Sequence, residues 1–251
     1  MKVIIFEDYD QLSEHAANEI IEVIQNKKDS LICFASGDSP KLTCELFAQK
    51  VKNATMDISR CSFIELDEWI GLAPEMKGSC HYDFMNRLVK PLTLQPGQYL
   101  VFDGLAEDLT LECELMDSYI EDKGGRIDIM IVGLGMNGHI GFNEPETDFG
   151  LKSHVIKLDQ STIEVGQKYF DQSVSLTKGI TLGLAYLIEA KKVLLLANGT
   201  RKSKVIQETV EGSITTSFPA SILQIHPEGF ILVDKEAGAL LSRDKNEAIA
   251  T

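Results

Sequence analysis

The 251-residue chain carries 24 Lys and Arg against 38 Asp and Glu, a formal net charge of −14, with 44 % apolar and 25 % charged residues. These proportions exclude a disordered chain, and 19 Gly with 7 Pro exclude a collagen-like or linker-dominated one. A chain this acidic repels nucleic acid and anionic membrane surfaces, so neither is expected as a partner.

Lys2–Phe6 (KVIIF) reads as a strand, and the sequence turns acidic straight after it, too soon for the apolar core of a secretion signal. Residues 10–27 read as a helix, with Leu12, Ala16, Ile20, Val23 and Ile24 on one face and Asp10 as its cap. Residues 31–35 form the next expected strand, followed by the turn SGDSP and a helix from about Lys41. A strand is expected at 61–66, helices at 80–89 and Leu109–Asp122, and a strand at 128–132 that runs into GLGMNGHIGFNEP. Beyond it, 155–158 reads as a short strand, 161–169 and 183–190 as helices, Val193–Ala197 as a strand, 200–211 as a helix and 230–233 as a late strand.

The strands are near-continuous apolar runs, as in strands buried on both faces. Their alternation with helices predicts an α/β fold: an open, mostly parallel sheet with helices on both faces. No repeat, low-complexity tract or linker divides the chain, so residues 1–251 read as one domain. No stretch reaches the roughly 18 apolar residues of a membrane span. The five cysteines (Cys33, Cys44, Cys61, Cys80, Cys113) form no C-x-x-C pair, which suits buried thiols in a cytoplasmic protein.

In open α/β sheets, ligands bind beyond the carboxyl ends of the strands. Four loops occupy that position: SGDSP after Ala35, DEWIGL after Leu66, GLGMNGHIGFNEP after Val132, and NGTRKS after Ala197. Ser36, Gly37, Asp38 and Ser39 open a helix, where free N–H groups and the helix dipole favour an anion such as phosphate. The alternative is an ordinary βα turn capped by Ser39. Residues 198–203 repeat the arrangement with cations, and Lys202 is within reach of an anion held by the first loop; a second phosphate-facing helix start is therefore expected, against a solvated lysine.

Glu65, Asp67 and Glu68 crowd one strand end. Period 2 places Glu65 and Asp67 on one face, where neighbouring carboxylates raise each other's pKa and suit a general base. The alternative is a solvated strand end. His139 and Glu144 lie in the Gly-rich loop, where a carboxylate fixes the imidazole tautomer for proton transfer. No metal is expected there: His139 has no H-x-x-x-H partner, and His15, His81, His154 and His226 are scattered.

From the SGDSP loop through LDEWIGL, GLGMNGHIGFNEP, KGITLGL and NGTRKS to LQIHP, the chain resembles the glucosamine-6-phosphate deaminase/isomerase family and its galactosamine-6-phosphate relatives. KGSC, KGITLGL and FPAS lean towards the galactosamine branch. The resemblance implies a modified Rossmann-like fold and conversion of a hexosamine 6-phosphate and water to a ketohexose 6-phosphate and ammonia, without cofactor or metal. It implies Asp67 as the base moving a proton between carbons 2 and 1, His139 as the ring-opening acid/base and Glu144 as its partner. Ser36, Gly37, Asp38, Ser39 and Lys202 match the phosphate pocket, and Lys168 falls where some relatives carry an arginine. Asn137 stands where some members have an aspartate; an amide orients His139 but accepts no proton. The chain ends soon after residues 230–233, without the tail of regulated relatives, so allosteric control is not carried over.

Two rivals are weighed against this reading. A 6-phosphogluconolactonase-type hydrolase needs no carbon-acid base and releases no ammonia. A catalytically silent sugar-phosphate sensor usually adds a DNA-binding segment, for which there is no spare length or basic patch. Homo-oligomerisation is open, with monomer, dimer and hexamer all compatible.

Overall fold

The computed structural model describes residues 1–242. Seven strands, β1 (Lys2–Phe6), β2 (Leu31–Phe34), β3 (Ser62–Glu65), β5 (Tyr99–Leu100), β6 (Ile129–Val132), β9 (Val193–Ala197) and β10 (Gly229–Asp234), form one sheet in the order β1-β10-β9-β6-β2-β3-β5. Every neighbouring pair is parallel. This is the open α/β sheet the apolar runs predict.

Alternate residues of the central strands feed two different cores. Ile32, Phe34, Ile129, Ile131, Leu194 and Leu196 pack on one face, against α1 (Tyr9–Asn26) and α2 (Asp38–Asn53). Leu31, Cys33, Met130, Val132, Val193 and Leu195 pack on the other, against α5 (Leu109–Asp122), α7 (Leu184–Glu189) and α8 (Ser203–Glu211). Each fully buried aliphatic side chain contributes about 1.5–3 kcal/mol, so both faces must stay covered. Helices on both faces follow from that requirement.

Three local readings are corrected. Asp8, not Asp10, caps α1: its carboxylate accepts the Gln11 N–H at 2.9 Å, and Asp10 already lies in the first turn. Helix α2 begins at Asp38, three residues before Lys41, because Gly37 takes φ +111° and turns the chain directly from β2 into the helix. The helix expected at 80–89 is α3 (Cys80–Phe84) followed by a π-helical turn, Met85–Val89, and the short α4 (Lys90–Leu92).

A second, three-stranded antiparallel sheet is absent from the sequence reading: β4 (Asp67–Trp69), β8 (Lys178–Thr181) and β7 (His154–Lys157). It joins the main sheet through the Leu182 N–H on the Leu66 carbonyl, 2.9 Å, and covers a small core around Trp69 and Phe142, whose rings are 4.5 Å apart. Helix α6 (Gln160–Gly166), followed by the 3-10 turn Gln167–Tyr169, returns from β7 towards the carboxyl end of the main sheet.

Strands β2, β3 and β5 are laid down in one direction and β6, β9 and β10 in the other, so the order reverses between β2 and β6. A crevice opens at such a point, outside the carboxyl ends of the strands.

Candidate active site

That crevice is a cavity of about 640 Å³. Its wall includes Ser36–Ser39 after β2, Asp67 on β4, His139 after β6, and Lys168 and Lys202. Sequence-distant loops thus meet where the topology requires.

The anion-binding end is the start of α2. No side chain caps it: Gly37 is the N-cap, and the Ser39 hydroxyl instead donates to Asn198 Oδ1 at 2.8 Å. The capping alternative for Ser39 is therefore not what the structure shows. The Ser36 hydroxyl donates to the Cys80 carbonyl at 3.2 Å. Asp38 contributes through its place in the first turn, since its exposed carboxylate pairs with Lys168 at 2.7 Å. Burial draws the Lys168 ammonium down, but the hydrogen bond it donates to Asp38, with help from Tyr169, outweighs it and holds the pKa above the usual value.

The Lys202 ammonium donates to the Leu134 carbonyl. Burial, helped by the Lys168 charge, lowers its pKa to about 8, against an opposing pull from Asp38. The second helix start is corrected. The Gly199 N–H donates to both Asp234 oxygens at 3.0 and 2.9 Å, and the Thr200 N–H donates to Glu236 at 3.1 Å. Those donors are consumed by carboxylates of the chain itself, so Lys202 alone of this loop faces the cavity.

Burial pushes the Asp67 carboxyl up to about 7, and the Glu68 charge adds to it, against a lowering hydrogen bond from Cys80. Glu68 adds to the Asp67 shift, and Asp67 in turn helps to push Glu65 up, so the three carboxyl groups act on one another as expected of Glu65 and Asp67. Glu65 is fully buried outside the cavity wall, accepting the Phe102 N–H at 3.2 Å.

His139 Nδ1 lies 3.5 Å from Glu144 and 3.1 Å from the hydroxyl of Thr162 on α6. Burial raises the Glu144 pKa, but hydrogen bonding and charge from His139, with bonds from Thr162 and Asn137, outweigh it and hold the carboxyl below its usual value. An ionised carboxylate at Nδ1 keeps the proton there and leaves Nε2 to exchange protons with a ligand. Asn137 donates to Glu144 at 2.8 Å and accepts the His139 main-chain N–H at 3.2 Å, so it steadies the loop rather than the ring. Helix α6 also gives the Asp159 N–H to Glu144 at 3.2 Å. Thr162 carried no sequence signal, because it meets His139 only through the fold. Among the described residues, no group of three His, Cys, Asp or Glu stands close enough to hold a metal ion.

Residues 7–231 match the family model for glucosamine-6-phosphate isomerases/6-phosphogluconolactonase. The chain belongs to this family. It is 37 % identical, over 96 % of its length and 95 % of the relative's, to a protein from Thermoanaerobacter pseudethanolicus named glucosamine-6-phosphate deaminase. A relative of the same name from Halothermothrix orenii is 36 % identical over 96 % of this chain and all of its own. The family fold is equally clear: a solved monomeric glucosamine-6-phosphate deaminase superposes with a TM-score of 0.91, 31 % identity, 96 % of this chain and all of that one. A 6-phosphogluconolactonase from Trypanosoma brucei superposes at 0.78 with 17 % identity, covering 96 % of this chain and 98 % of its own, and shows the shared fold alone. The protein is accordingly an enzyme of the amino-sugar-phosphate deaminase/isomerase type.

Proposed function

We propose that the enzyme converts a hexosamine 6-phosphate, glucosamine or galactosamine, and water to the ketohexose 6-phosphate and ammonia. The observation that carries this reading is Asp67: a buried carboxylate, made basic by burial and by Glu68, facing the same cavity as an uncapped helix start and Lys202. Lactone hydrolysis has no use for a carbon-acid base, whereas isomerisation depends on one. The relatives named glucosamine-6-phosphate deaminase support the same choice.

The start of α2 and Lys202 bind the 6-phosphate, and this remote contact positions carbons 1 and 2 over Asp67. His139, through Nε2, takes the 1-hydroxyl proton and delivers a proton to the ring oxygen, which opens the ring to the aldehyde. Asp67 takes the proton from carbon 2 while a proton of the 2-ammonium group passes to the carbonyl oxygen, giving an enolamine, and then returns its proton to carbon 1, giving the protonated ketose imine. Water adds to the imine carbon, and ammonia leaves. Glu144 and Thr162 hold the imidazole throughout. The substrate is a small molecule; five free, buried cysteines suit a cytoplasmic setting. Among the described residues, no helix is long and apolar enough to cross a membrane.

A pH series tests this assignment. The value of kcat/KM is expected to fall below about pH 7 as Asp67 is protonated, and above about pH 8 as Lys202 loses its charge. An activity that stays level from pH 5 to 7 removes Asp67 as the base. Replacing Lys202 by Ala is expected to raise KM more than it lowers kcat, because the phosphate contact persists from ground state to transition state. A charge-assisted bond of about 1.5–3 kcal/mol corresponds to roughly 10–150-fold in kcat/KM. An unchanged KM contradicts the contact.

A further inference from the structure

Glu65, Asp67 and Glu68 are all at most 7 % exposed, yet only Asp67 lines the cavity. Glu68 alternates to the other face of β4, where its carboxylate collects main-chain donors. Oε1 accepts the Trp69 N–H at 2.6 Å and the Cys80 N–H at 3.1 Å; Oε2 accepts the His81 N–H at 2.7 Å. Three converging donors call for a group that only accepts, which an ionised carboxylate is and an amide is not; burial still pushes the Glu68 carboxyl up to about 7, with the three main-chain bonds pulling it back. Cys80, held in this way, receives the Ser36 hydroxyl of the anion-binding turn on its carbonyl at 3.2 Å.

We infer that Glu68 is a positioning residue for the reaction: its carboxylate ties β4 to the start of α3, and through the Cys80 main chain fixes the strand that carries Asp67 relative to the anion-binding turn. The inference rests on Asp67 being the base, as proposed above.

Above about pH 7 the other groups around Asp67 leave Glu68 as its charged neighbour. Burial, reinforced by Glu68 and Asp67, pushes Glu65 well above the carboxylate range, and its Oε1 is buried without a hydrogen-bond partner, as a neutral carboxyl tolerates. Burial pushes the Cys33 and Cys80 thiols well up, so they stay uncharged. Asp83 acts on Glu65 and Glu68 rather than on Asp67, and the His81 ring turns to the Phe102 main chain.

The test is the pH dependence of ammonia release from the hexosamine 6-phosphates by the whole enzyme and three variants. Glu68→Gln removes the charge and is expected to lower kcat about tenfold or more and to move the acid limb of kcat/KM down by roughly one pH unit. Glu68→Asp keeps the charge but shortens the reach, so kcat falls while the acid limb stays. Glu65→Gln replaces a group that is already neutral and leaves the limb in place. A Glu68→Gln enzyme with reduced kcat and an unmoved limb shows a structural role only and overturns the inference. So does a Glu65→Gln limb that shifts as far as that of Glu68→Gln. If Glu68→Gln does not fold, Glu68→Asp decides: reduced kcat with an unmoved limb supports the inference, and wild-type kcat overturns it. Absence of ammonia from the wild-type enzyme instead defeats the proposed function, so the two failures are distinguishable.

Discussion

Asp67→Asn is expected to abolish isomerisation while leaving sugar-phosphate binding largely intact. The amide has the shape of the carboxylate but cannot take the carbon 2 proton, and loss of a positioned general base costs about 10²–10⁴-fold. The start of α2 and Lys202 are untouched, so the ligand still binds. Removing one of the buried carboxyl groups also relieves the crowding of Glu65, Asp67 and Glu68, and the variant is expected to fold. The readout is exchange of the carbon 2 proton with deuterated water, followed by proton magnetic resonance. Exchange at the wild-type rate in the variant removes Asp67 from the mechanism.

Gly135→Ala is expected to lower kcat about 100-fold with a smaller change in KM, by displacing His139 rather than by straining the main chain. Gly135 is not in the left-handed region. Its requirement is space: a Cβ there falls 2.3 Å from Cε1 and Nε2 of the imidazole, well inside any real contact. The ring cannot withdraw freely, because Glu144 and Thr162 hold Nδ1 and the Gly135 N–H donates to the His139 carbonyl at 2.9 Å. A misplacement of about 1 Å at a reacting group is worth roughly 10² in rate. Steady-state kinetics on the variant check this, and wild-type kcat contradicts the placement of Nε2 in the reaction.

The main sheet was legible because β2, β6 and β9 are unbroken apolar runs, and such runs have few alternatives to burial on both faces. The second sheet was not. β4 is the tripeptide Asp67–Trp69 and β8 is KGIT, too short and polar for a periodic signal, and their pairing is set by contacts more than 100 residues apart in sequence. The gap between Asp8 and Asp10 as cap is a matter of two residues, which apolar periodicity does not resolve.

Within the site, the turn after β2, Asp67, His139, Glu144 and Lys202 were all readable as chemistry at strand ends, and the fold brings them to one crevice, with Glu144 against the imidazole of His139 rather than on the wall. Strand alternation grouped Glu65 with Asp67 because it assumes an uninterrupted strand. The chain instead leaves β3 at Glu65 and starts β4 at Asp67 in another sheet, so Glu65 still acts with Asp67 but lies off the cavity wall, and Glu68 joins the group. The second phosphate-facing helix start failed for a different reason: Asp234 and Glu236, some 35 residues further on, fold back onto its N–H groups. Contacts of this kind belong to tertiary structure, and local sequence carries no trace of them.

The central claim is the deamination itself, and one paired assay tests it. The enzyme is given glucosamine 6-phosphate, galactosamine 6-phosphate and 6-phosphogluconolactone separately, with ammonia, ketose 6-phosphate and acid release followed in each. Ammonia and ketose 6-phosphate formed in equal amounts from at least one amino sugar, with no catalysed lactone opening, is the predicted result. Hydrolysis of the lactone with no ammonia from either amino sugar contradicts the account.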